Sequence, residues 1–207
     1  KFIFSSSSAI YGNIRKSIVE NHKPKKPVSN YGIMKLKSEK YIENFSKKKS
    51  LKAYIFRFPN VVGKNLTHGI IFDFINKIKR NQNILNVLGN GNQQKPYSDV
   101  SEIIRCMIYI KNLSFKNYVN YFNIGTSDKG IKVKEIVNIF IKNLNFKITP
   151  VYQNKKKGWK GDVINYKYST KKINRLGFNF KLNSKEVIEK TVKNYLKKVY
   201  WGDIISN

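Results

Sequence analysis

The sequence predicts an α/β protein built on a parallel sheet. Three observations carry this. Lys1 to Ser5 is a short stretch, apolar enough to be a central strand of such a sheet. A segment capped by Ser29 or Asn30 then carries Met34, Tyr41, Ile42 and Phe45 at helical spacing and ends over Lys47 to Ser50. Leu51 to Phe58 (Leu-Lys-Ala-Tyr-Ile-Phe-Arg-Phe) reads as a second strand, stopped by Pro59. Strand, helix and strand at these lengths make a right-handed parallel crossover.

The remaining elements follow in order. Pro59-Asn60-Val61-Val62-Gly63 is a turn, and His68-Gly69 precede a helix over Ile70 to Arg80 whose N-terminus could face a phosphate. Leu85 to Gly91 gives a short strand and turn, and Ser101 to Ile110 a helix. Tyr121 to Gly125 is a strand. Lys132 to Leu144 is an amphipathic helix with Ile136, Val137, Phe140, Ile141 and Leu144 inward. Ser169 to Leu176 and a long helix over Ser184 to Tyr200 complete the chain, the latter with Asn183 as cap and Glu186 three residues on.

Composition narrows the classes. At 207 residues the chain can bury one good core, or one and a half domains. Lys and Arg number 41 against 12 acids, a formal charge of +29. Such a balance ordinarily suggests nucleic acid. These lysines are dispersed, however, with tight runs only at Lys47 to Lys49 and Lys155 to Lys157, and the chain is also rich in Asn and Ile. A general bias toward Lys, Asn and Ile accounts for this, so no specific nucleic-acid partner is expected. The field would still attract a diphosphate. Cys106 is the single cysteine, so no intrachain disulfide can form. His22 and His68 are too few for a histidine metal site. No apolar run approaches the roughly 20 residues of a membrane span, and Lys1-Phe2-Ile3-Phe4 is too short for a signal sequence. A cytoplasmic protein is expected.

The chemistry gathers near the start. Four serines, Ser5 to Ser8, follow the first strand and lead into Ala9-Ile10-Tyr11-Gly12. Asn30-Tyr31-Gly32-Ile33-Met34-Lys35 opens the helix, and Tyr31 and Lys35, four apart, share one of its faces. An ammonium beside a phenol favours the phenolate. A serine at the end of a neighbouring strand could pass a proton between that tyrosine and a substrate hydroxyl. By itself the pair occurs in many helices, and a serine run before a turn is usually a loop.

The whole arrangement resembles the extended short-chain dehydrogenase/reductases, and within them the NAD-dependent nucleotide-sugar epimerases of the UDP-glucose 4-epimerase type. The resemblance covers nearly the whole chain. It implies a catalytic serine at Ser7, with Ser6 or Ser8 as neighbouring registers, together with Tyr31 and Lys35. It implies NAD contacts at Ser5, Ser6, Tyr31, Lys35, Phe58 and Pro59. For a UDP-sugar it implies Ser7, Asn60, the strand Asn86, Val87 and Leu88 around the base, and Lys95 at the phosphate. Lys95 keeps the charge of the family's arginine without its bidentate fork. Asp162 would bind ribose hydroxyls, and the diphosphate role falls to Lys160 because Trp159 stands where an arginine is usual. No metal is implied; a homodimer is.

The implied fold is the C-terminal part of a Rossmann-type parallel sheet plus a smaller mixed α/β substrate domain. Residues 1–64, with about 97–126 returning, would form part of the cofactor domain, and 65–207 mostly the nucleotide-sugar domain. No G-x-G-x-x-G occurs, so the chain resembles the C-terminal part of a longer enzyme, with an open sheet edge beside Lys1 to Ser5. Within the family a 4,6-dehydratase would need an acid pair beside the serine, where Ser8-Ala9-Ile10 stand instead. A reductase acting on a nucleotide sugar stays open, and a basic nucleic-acid-binding protein is the alternative from another class.

Overall fold

A computed structural model describes residues 1–14, 17–23, 25–155, 158 and 167–197. In chain order the elements are β1 (Phe2–Ser7), a 3-10 turn (Ser8–Ile10), β2 (Ser17–Ile18), α1 (Asn30–Lys48), β3 (Ala53–Phe58) and β4 (Asn60–Val62). They continue with α2 (Ile70–Arg80), β5 (Ile84–Val87), β6 (Gln94–Lys95), β7 (Tyr97–Asp99), α3 (Val100–Asn112) and β8 (Val119–Asn123). Last come β9 (Ile131–Lys132), α4 (Val133–Lys142), β10 (Thr149–Tyr152), β11 (Lys167–Tyr168), α5 (Lys171–Arg175) and α6 (Ser184–Leu196).

The expected α/β class holds. The main sheet is parallel, in the order β1-β3-β8, with Ser7 opposite Phe58 and Arg57 opposite Asn123. Parallel neighbours need a crossover, and α1 supplies the first. One core packs β3 and β8 (Tyr54, Phe56, Phe122) against α3 (Ile103, Cys106, Ile110). The Phe56 and Phe122 rings stack there with centroids 5.5 Å apart. A second core joins α2, α4 and α6 to β5 through Phe74, Ile78, Leu85, Phe140, Val187 and Val192.

Among the described residues β1 pairs with β3, and no described strand lies on its other side. Phe2 and Ile3 are 42% and 39% exposed, beside a hollow of about 440 Å³ lined by Phe2, Phe4, Tyr41 and Ile42. This matches the open edge expected beside Lys1 to Ser5.

α1 starts where the sequence says, Ser29 Oγ accepting from the Gly32 N–H at 3.1 Å. Most of its apolar positions are exposed. Met34, Tyr41 and Phe45 are 60%, 72% and 45% exposed, and the buried positions are Gly32, Glu39 and Ser46. Arg57 of β3 lies between the sheet and this helix with 1% of its surface exposed, and a buried guanidinium requires an anion. Glu39 supplies it. Gly32 is small for a steric reason, since a Cβ there would sit 2.6 Å from the Ala9 carbonyl oxygen of the 3-10 turn.

β10 was not anticipated. It runs parallel beside β5, with Pro150 opposite Leu85, as an edge strand tolerates.

Candidate active site

The C-terminal end of β1 and the first turn of α1 meet at a cleft of about 810 Å³. Ser7, Tyr31, Phe58, Pro59 and Asn60 all line it. Gly32 is what lets these two pieces touch, because it seats α1 against the turn that follows Ser7. Tyr31 is 57% exposed. Ser7 caps the 3-10 turn, its Oγ accepting from the Ala9 N–H at 3.2 Å. That hydroxyl hydrogen remains available to a second partner. Lys35 lies one turn below Tyr31, with Nζ 5.7 Å from the Tyr31 ring centroid and 4.9 Å from that of Phe4. It donates to the Ser5 carbonyl at 2.7 Å, which ties α1 to β1.

The serine register is narrowed by burial. Ser6 is 1% exposed and its hydroxyl donates to Glu39 Oε1 at 2.5 Å. Alternation along β1 turns the Ser6 side chain toward α1, where its hydroxyl donates to Glu39, although Ser6 also lines the cleft. Ser7 is therefore the serine suited to the cleft; Ser5 is exposed and presents its carbonyl to Lys35.

A second cavity of about 320 Å³ adjoins the first, the two sharing Asn60, Gly69, Ile70 and Tyr97. Val87, Leu88 and Lys95 line it, as the resemblance implied. Asn86 does not: strand alternation points it to the opposite face, where it is exposed. Asn60 is half-buried and donates through Nδ2 to the Pro96 carbonyl at 3.2 Å. Gly69 begins α2 without a side-chain cap, so the first amides of that helix are oriented toward both cavities' shared wall. Lys160 and Asp162 lie outside the described residues.

Sequence reasoning missed the buried network behind the site. Glu39 accepts from Arg57 Nε at 2.9 Å and from Arg57 Nη2 at 2.7 Å, with side chains 3% and 1% exposed. Arg57 Nη1 donates to Tyr11 Oη and to the Glu20 carbonyl, each at 2.7 Å. Tyr11 Oη in turn donates to Asn123 Oδ1 at 2.8 Å. Burial pushes the Tyr11 phenol up to about 12, against the pull of Arg57. Burial also opposes the charge on Arg57, but Glu39 and Tyr11 outweigh it and hold the guanidinium above its usual value. A signal existed: an arginine inside a strand that reads as buried must have a partner, and Glu39 follows Lys35 by one helical turn. Gln93 was also missed; it lines the smaller cavity at 2% exposure, and no local pattern marks it.

Known proteins resemble the chain along almost its full extent. Residues 1–125 match the model of the NAD dependent epimerase/dehydratase family. A Methanocaldococcus jannaschii protein named "Putative UDP-glucose 4-epimerase" is 30% identical over 202 residues, covering 95% of this chain and 63% of the relative. The Escherichia coli dTDP-4-dehydro-6-deoxyglucose reductase is 26% identical over 74% of this chain and 48% of its own length. Among solved structures, the Thermotoga maritima UDP-glucose 4-epimerase with UDP-glucose superposes with a TM-score of 0.78 at 28% identity, over 96% of this chain and 64% of that one. The chain thus spans under two thirds of these relatives. With the tyrosine helix and serine strand meeting at one cleft, and with more than half its residues matching the model, the chain belongs to the NAD dependent epimerase/dehydratase family.

Proposed function

We propose that the protein is, or forms part of, an NAD-dependent nucleotide-sugar epimerase acting at C4 of a UDP-hexose. The observation that carries this is Ser7 and Tyr31 lining one cleft, with the Lys35 ammonium 5.7 Å from the Tyr31 ring. In this reading the Tyr31 phenol oxygen takes the proton of the 4-hydroxyl. Lys35 provides the positive charge that offsets the charge developing on that oxygen. Ser7 donates its hydroxyl hydrogen to the reacting sugar oxygen. NAD, whose nicotinamide end Tyr31, Lys35, Phe58 and Pro59 would hold, would supply the hydride chemistry at C4.

The nicotinamide end of NAD suits the cleft, where Phe58 and Pro59 form a wall beside Tyr31 and Lys35 supplies a donor for ribose hydroxyls. The pyrophosphate end is expected on a glycine-rich turn that these 207 residues do not contain. Residues 1–64, with 97–126, accordingly serve the cofactor side and 65–207 mostly the nucleotide sugar. β8 joining the β1-β3 sheet supports that division. Val87, Leu88 and Lys95 in the smaller cavity support the nucleotide end there, and Asn60, shared by both cavities, supports a sugar or diphosphate contact between them. Lys160 and Asp162 are proposed for the diphosphate and ribose on the family resemblance alone.

Reduction of a keto sugar is the second reading, favoured by the 26% identity to the E. coli reductase. Elimination is the less supported reading, because among the described residues lining the cleft there is no carboxylate.

Tyr31→Phe tests the proposal. In the protein as its own gene encodes it, turnover should fall about 100-fold or more while UDP-sugar affinity stays within twofold, since the phenol acts in chemistry rather than in binding. Turnover at the parent rate would remove Tyr31 as the base.

A further inference from the structure

The buried network contains a part that the proton-transfer chemistry does not use. Glu39 receives three hydrogen bonds at once: from Ser6 Oγ on β1, and from Nε and Nη2 of Arg57 on β3. Ser6 immediately precedes Ser7, and Glu39 stands on α1 one turn past Lys35 and two turns past Tyr31. One carboxylate is therefore bonded to the strand that carries the serine, to the next strand, and to the helix that carries the tyrosine. Lys35 adds a second link between α1 and β1 through the Ser5 carbonyl.

Stability alone is a weak reason for such a feature. Burying an ion pair costs desolvation, and apolar residues of similar volume commonly serve a fold equally well. Position is a better reason. Proton transfer between a serine, a tyrosine and a sugar hydroxyl works within hydrogen-bond reach, and a displacement of about 1 Å can cost about 100-fold in rate. Backbone bonds fix β1 to β3 within the sheet, whereas α1, on the face of that sheet, is bonded to β1 through the Ser6–Glu39 and Lys35–Ser5 contacts.

We infer that the Ser6–Glu39–Arg57 cluster is a positioning clamp that fixes the Ser7 hydroxyl relative to the Tyr31 phenol. The inference rests on reading Ser7 and Tyr31 as the reacting pair. In this scheme the Ser6 hydroxyl, bonded to Glu39, takes no proton from the sugar, and Glu39 and Arg57 do not line the cleft. The three act through the separation of β1 from α1, with Arg57 further braced by Tyr11 and the Glu20 carbonyl.

Ser6→Ala removes one hydroxyl and leaves the Arg57–Glu39 pair in place. In the protein as its own gene encodes it, kcat should fall at least about tenfold, with KM and calorimetric UDP affinity unchanged within twofold. Ser6→Thr, which keeps the hydroxyl, should recover most of the rate. The double replacement Glu39→Met with Arg57→Met should fold, by circular dichroism and thermal melting, and be slow. A merely structural cluster would instead lower the melting temperature with kcat per folded molecule unchanged. That outcome overturns the clamp, as does a fast Ser6→Ala enzyme or failure of Ser6→Thr to restore rate. Tyr31→Phe, measured in parallel, separates the two levels. If it retains turnover, the Ser7–Tyr31 reading itself falls; if it is dead while Ser6→Ala is normal, the clamp alone falls.

Discussion

At the scale of single residues, Gly32 sits between two preferences of opposite sign. In a helix, alanine is favoured over glycine by about 1 kcal/mol. Here the added methyl would lie 2.6 Å from the Ala9 carbonyl oxygen and 2.9 Å from Pro27 Cβ, both on fixed backbone or ring. Overpacking of that kind costs about 1–3 kcal/mol, so the steric effect wins. Gly32→Ala should lower stability by about 1–2 kcal/mol in a thermal or urea melt. It should also push Tyr31 away from the serine turn and slow turnover. A rise in melting temperature would show that the 3-10 turn yields easily.

At the scale of elements, Asp99 joins two helices. Its carboxylate caps α3, accepting from the Ser101 N–H at 2.8 Å, and accepts from Lys190 Nζ of α6 at 2.8 Å. Burial pushes this carboxyl up, but Lys190 and the Ser101 amide outweigh burial and hold it below its ordinary value. A folded pKa below the unfolded one stabilises the fold above the unfolded value of about 3.8, and that contribution is lost as pH falls through the folded value. Asp99→Asn should therefore cost most near neutrality, about 1–2 kcal/mol with Lys190 half in solvent, and the gap to the parent should close below pH 3.8. Urea melts at two pH values measure it; a gap that widens in acid would contradict the assignment.

The same scale explains what the sequence disclosed. α2 runs over Ile70 to Arg80 as the periodicity indicates, and the Asn183–Glu186 cap of α6 is present, Asn183 Oδ1 accepting from the Glu186 N–H at 3.0 Å and Glu186 Oε2 from the Asn183 N–H at 2.8 Å. These elements bury one continuous apolar stripe, which local pattern records. α1 was legible as a helix but not by its buried face, because a charge on β3, Arg57, decides that face. Two-residue strands such as β6 and β9 carry no local signal at all. In the candidate site, Tyr31, Lys35 and the serine run were legible by spacing. Ser7 was already placed by its distance along the chain from Tyr11, the Glu39 partner of Ser6 was not legible, and the face of β5 that turns Asn86 away from the cavity was not either.

At the scale of the whole molecule, the two cavities differ in what these 207 residues can offer. The described residues proposed for the nucleotide sugar (Asn60, Val87, Leu88, Lys95) line the smaller one. The glycine-rich turn that would cradle the NAD pyrophosphate does not occur in the sequence. Each charge-assisted bond lost with such a cradle is worth about 1.5–3 kcal/mol. The 207-residue chain should therefore bind UDP at least about 10-fold more tightly than NAD by calorimetry, on protein first shown to be folded. Equal affinities would mean that the cofactor site is misassigned.

The order of the main sheet also governs how the chain reaches this state. Its strands come from residues 2–7, 53–58 and 119–123, and no hairpin joins any two of them. Each pairing must close a long loop before any ladder bond forms, and closure entropy is spent ahead of the stabilising contacts. The Arg57–Asn123 register needs both β3 and β8, which lie far apart in the sequence. In the folded 207-residue chain Phe2 and Ile3 of β1 and Met34, Tyr41 and Phe45 of α1 stay exposed, so apolar surface lies open to a neighbouring chain. Refolding from urea should accordingly be slow, and its yield should fall as protein concentration rises.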